Sequence, residues 1–98
     1  MTEQPGQFDR EIFLRAQVTP KHLVPFAPVG RTSISAWLNG HQRPSKFVLE
    51  PVLELQTALA RALDAGALPV EGDLLKPERD RRVQARITQY LASTAAAD

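Results

Sequence analysis

The sequence contains no cysteine, which excludes a disulfide framework and a thiolate metal site. Its only histidines, His22 and His41, lie far apart with no carboxylate in their own segments, so no helical pair of metal-binding histidines can form. Glycine is scarce and nowhere builds a phosphate-cradling loop, and Ser33, Ser35 and Ser45 have no evident base beside them. No catalysis, cofactor or metal is therefore expected. No apolar run approaches the ~18–20 residues that span a bilayer. The start Met1-Thr2-Glu3-Gln4-Pro5-Gly6 does not read as a signal peptide. The expectation is a soluble, cytoplasmic protein with no membrane partner. Strand-like alternation, internal repeats and sustained heptads are missing as well, leaving an all-α chain of about five helices.

With 98 residues there is room for one domain and a modest core. The formal net charge of +1 says little, but its distribution says more. No acidic side chain falls between Glu11 and Glu50, while Arg15, Lys21, Arg31, Arg43 and Lys46 do. A middle segment of one sign suits a surface that approaches phosphates.

Taken in order, residues 1–8 have no apolar period and read as a flexible tail. Asp9 caps a first helix carrying Ile12, Phe13 and Leu14 and reaching towards Val18. Asp9 and Glu11 sit where the helix dipole favours negative charge. Thr19-Pro20 is a second start signal, a hydroxyl cap followed by proline at the first helical position. That helix extends to about Phe26, with Pro25 ending it early.

Val29 to Gly40 holds the most informative pattern. Ile34, Trp37 and Leu38 recur at one-turn spacing and form a buried stripe, leaving Arg31, Thr32, Ser35 and Ala36 outward. Asn39-Gly40 is a helix stop. A polar, basic loop follows, His41 to Lys46, with Ser45 as a plausible cap for the next segment. Pro51 fits the first turn of a helix starting near Glu50, whose Val52, Leu55, Leu59 and Leu63 give the strongest periodicity in the chain before Gly66. Residues 67–72 form a connector. Pro77 can open a last helix, with Val83, Ile87, Tyr90 and Leu91 on one stripe and Glu78, Arg79, Asp80, Arg81, Arg82 and Arg86 on the other. Thr94 to Asp98 reads as a frayed end.

Thr19 and Leu23, in register with Val29, Arg31, Thr32, Ser33, Ile34, Ser35, Trp37, Asn39, Gly40, Pro44 and Ser45, resemble the phage repressor/Cro-type (XRE-like) helix–turn–helix family. The resemblance runs without a gap from Thr19 to Ser45 and stops short of residues 67–98. Two positions depart from the family pattern: Val24 stands where alanine is usual, and Pro28 where glycine is usual. Proline cannot adopt φ > 0, so the turn must follow another path, with Pro25 ending the first helix and Gly30 supplying flexibility.

The resemblance implies a helix–turn–helix DNA-binding domain over residues 9–66, acting as a transcriptional repressor on double-stranded DNA, with residues 30–38 in the major groove. Arg31, Thr32, Ser35 and Ala36 would face bases; Arg31 has the geometry to pair with guanine O6 and N7. Thr19, Lys21, Asn39, His41, Gln42, Arg43 and Lys46 would hold phosphates. A lone unit of this kind typically binds as a homodimer, and the stripe Val83, Ile87, Tyr90 and Leu91 in residues 67–98 either packs back on the core or pairs with its twin, dimerisation being the favoured role. The alternative is a protein-interaction module, a host-directed inhibitor or adaptor, on the same fold.

Overall fold

Asp9 opens the first helix through its own side chain, Oδ1 accepting the Glu11 N–H at 3.0 Å. The computed structural model describes residues 8–96, which form α1 (Arg10–Arg15), α2 (Pro20–Leu23), α3 (Arg31–Leu38), α4 (Leu49–Asp64) and α5 (Lys76–Ala96). No strand occurs among the described residues, so the all-α expectation holds. Of the expected flexible tail, residues 1–7 lie outside the described ones, as do residues 97–98 of the expected frayed end. Phe8 is not part of a tail: its ring packs 5.3 Å from Phe13 and edge-on to Trp37 at 6.4 Å. α5 stays helical through Ala96, past the point where fraying was expected.

The stretch from Pro20 to Phe26 is helical, but its last turn is a 3₁₀ turn over Val24–Phe26. Pro25 has no N–H to return, and the tighter turn accommodates that loss. The chain then crosses to α3 without any residue at positive φ. Ala27 is extended at φ −111°, and Gly30 caps α3 at φ −83°, ψ 176°. The turn does take another path than one needing glycine at position 28. Gly30, however, makes no use of its special freedom.

Both α3 and α4 stop in the same way. The Gly40 N–H bonds the Trp37 carbonyl and the His41 N–H bonds that of Ala36, with Gly40 at φ +78°. Gly66 and Ala67 repeat this on Leu63 and Ala62. These are Schellman closures, which glycine makes without steric penalty. Ser45 does not cap α4; Val48 occupies that position with no side-chain cap bond, and the helix starts at Leu49.

The core gathers Phe13, Leu23, Ile34, Trp37, Val52, Leu55, Leu59, Leu68, Val83 and Ile87. Each fully buried aliphatic side chain contributes roughly 1.5–3 kcal/mol through removal from water. Of the stripe expected to dimerise, Val83 and Ile87 are taken up within their own chain. Val83 and Ile87 are 2% and 0% exposed within a single chain, and Tyr90 and Leu91 pack against the same core. The stripe of α4 needs a cover, and α5 supplies it from the same chain, where docking loses no translational freedom. Val83 and Ile87 are out of reach of a second copy.

Candidate functional site

The exposed side of α3 begins with Arg31 and Thr32, both in solvent, and continues through the half-buried Ser35 and Ala36. This orientation follows from the buried stripe: with Ile34, Trp37 and Leu38 in the core, the first turn of α3 must project outward. Asn39 folds back to give its Nδ2–H to Ser35 Oγ at 3.3 Å, and its backbone N–H closes the helix on the Ser35 carbonyl. The expected phosphate contact at Asn39 is therefore also the C-cap, bonded to an expected base contact. Arg10 steadies that end from α1, its Nε–H donating to the Leu38 carbonyl at 2.8 Å.

Thr19, Lys21, Arg31, Thr32 and Ser35 line one open cleft of about 690 Å³, together with Pro20, Lys76 and Asp80. Residues expected to meet bases and residues expected to meet phosphates thus share one concave surface. Gln42 and Arg43 lie instead around a smaller hollow of about 250 Å³ with Phe8, Arg10, Trp37 and Gly40. His41 and Lys46 are exposed, and Lys46 Nζ stands 5.5 Å from the centre of the Phe47 ring.

Sequence order conceals the centre of this arrangement. His22 is 3% exposed, and both ring nitrogens are engaged. Nδ1 accepts the Thr19 N–H at 3.1 Å, in the place a glutamate takes in a capping box. That acceptance leaves the ring proton on Nε2, which donates to Asp80 Oδ1 at 2.6 Å. Asp80 Oδ2 is shut off from solvent and faces the Lys21 ammonium at 3.1 Å. The bond from His22, then the Lys21 ammonium, hold the Asp80 carboxyl below the usual carboxylate range, against the opposing effect of burial. Thr19 Oγ1 lies 3.3 Å from Nδ1. The lone pair of that nitrogen already serves the Thr19 N–H, so the ring is a latch between α2 and α5 and is poorly placed to act as a base towards the hydroxyl.

The acid-free interval in the sequence is accordingly not acid-free in space, because α5 returns Asp80 to Lys21. Neither Asp80 nor Lys76 stands in a sequence motif that marks it as a site residue. The His22 contact spans 58 positions, and no periodic or motif signal reaches that far. Lys76 precedes Pro77 in a stretch with no clear pattern, although its place at a helix start was readable from the proline.

Among the described residues, no group of histidine and carboxylate side chains is arranged to hold a metal ion, and no helix is long and apolar enough to cross a membrane. Compared with family models, curated proteins and solved structures, the chain finds no match.

Proposed function

We propose that this chain is a sequence-specific DNA-binding transcriptional regulator, cytoplasmic and repressor-like, that reads the major groove with α3. The observation carrying the proposal is the first turn of α3: Arg31 and Thr32 stand exposed beside a cleft whose one acid, Asp80, is already paired with Lys21 and His22. An arginine at a helix start is disfavoured by the helix dipole unless an anion or a base edge receives it. The ungapped resemblance from Thr19 to Ser45 supports the same reading, as do the exposed cations Arg43 and Lys46 beyond α3. Binding as a homodimer fits the two-fold operators such units use, through a surface other than Val83 and Ile87.

Fluorescence anisotropy with duplex DNA over a salt series tests the proposal. Affinity should fall steeply as salt rises and should drop in the double variant Arg31→Ala, Arg43→Ala. Salt-insensitive binding, or none, argues against it. A protein-interaction module is the second reading, favoured by two large apolar side chains in solvent, Phe47 at 85% and Leu75 at 78% exposure. Recovery of one stoichiometric protein partner together with absence of DNA affinity would decide for that alternative.

A further inference from the structure

Three helices of this protein begin with a cation, and one of these, Arg10 of α1, is already engaged by the Leu38 carbonyl. Arg31 is the first residue of α3 and Lys76 the first of α5. Both positions oppose the helix dipole, and both side chains line the same cleft. Neither has an ion-pair or hydrogen-bond partner among the described residues. Lys21, the third cation there, is balanced by Asp80. Asp80 is in turn largely covered, its side chain 13% exposed, so little of its charge is offered to a ligand. The cleft is thus left with two uncompensated cations from two helices, along with the hydroxyls of Thr19, Thr32 and Ser35. Cations placed against the electrostatics of their own helices, converging from separate elements onto one hollow with hydroxyl donors, describe a seat for an anionic oxygen group.

We infer that this cleft seats a backbone phosphate of the DNA strand flanking the base pairs read by α3, and that Lys76 supplies the contact from α5. The inference rests on the DNA-binding reading above and extends it, because it makes the C-terminal helix part of the interface. The latch of His22 on Asp80 then has a positioning role: it holds the start of α5, and with it Lys76, against α2.

The test uses the full chain and a fluorescein-labelled mixed-sequence duplex, with the dissociation constant measured across a potassium chloride series. For Lys76→Ala, the slope of log affinity against log salt should shrink by about 0.9, the release associated with one phosphate contact. Lys76→Arg should keep the parent slope. Arg82→Ala, which removes an exposed α5 cation paired with Glu78 and away from the cleft lining, should leave it unchanged. The melting temperature of Lys76→Ala should equal or exceed that of the parent, since a dipole-opposed cation has gone. Weaker binding with undiminished stability is a combination that a purely structural role for Lys76 does not give. A parent slope retained in Lys76→Ala overturns the inference while leaving the DNA reading intact. An equal loss in Arg82→Ala also overturns it, showing a diffuse field and no seat. A parent protein with no salt-dependent duplex binding overturns both.

Discussion

Replacing His22 with alanine should destabilise the fold by about 1–3 kcal/mol, through a lost Thr19 cap bond and an Asp80 carboxylate left short of a partner. Urea unfolding measures this directly. Asp80 also sets a pH dependence. Its folded-state pKa lies below the ordinary value of 3.8, so the unfolded chain takes up its proton first. The stabilisation is complete above that value and is lost as pH falls through the lowered one. Asp80→Asn should flatten the acid limb of a stability–pH profile, and an unchanged limb would contradict the latch. Two glycines should answer oppositely. Gly40 sits at φ +78°, with the Arg10 guanidinium 2.8 Å from where a Cβ would stand, so Gly40→Ala should cost about 1 kcal/mol or more. Gly30 has ordinary cap geometry and open space around it. Gly30→Ser should stabilise by up to about 1 kcal/mol, combining a cap bond with a stiffer unfolded chain. Paired thermal melts check both. Of these roles, only the Gly40 stop was legible in sequence, because helix closure is a local event. The latch was not, since its partners are brought together only when α5 folds back.

At the scale of elements, local physics decided most boundaries. Asp9, Thr19-Pro20, Asn39-Gly40 and Gly66 each place a helix end within a residue or two of its observed position. The apolar stripe of α3 was readable because its three core residues recur at helical spacing. The Val24-to-Gly30 turn was readable only as a problem: proline forbade one path, and nothing in the sequence chose between those remaining. The observed solution is a 3₁₀ turn followed by extended residues at negative φ. Trp37 is 6% exposed and touches Phe8 edge-on. Trp37→Ala should therefore cost about 3–5 kcal/mol as a core residue, measured by chemical unfolding. Near-neutral stability with lost DNA affinity would instead mark Trp37 as a contact residue.

For the whole molecule, the fold is one core closed by its last helix, and residues 67–96 are a structural part of it. The long stripe of α5 was visible in sequence, but which surface it covers was not. A stripe that packs on its own chain and one that packs on a twin have the same periodicity. Ile87→Ala should lower stability by about 2–5 kcal/mol and leave self-association of the folded protein unchanged, as urea unfolding and sedimentation velocity would show for a lesion inside one chain. Arg79 adds to this closure by donating to the Val70 and Gly72 carbonyls, both at 2.8 Å. With the core so arranged, the exposed start of α3 faces outward beside the cleft shared with α2 and α5. The central claim is that this surface reads DNA. Selection from a random duplex library with the purified 98-residue chain tests it most directly. The account predicts enrichment of a short defined motif that Arg31→Ala fails to enrich or relaxes at one base pair. A correctly folded protein that enriches no motif would contradict it.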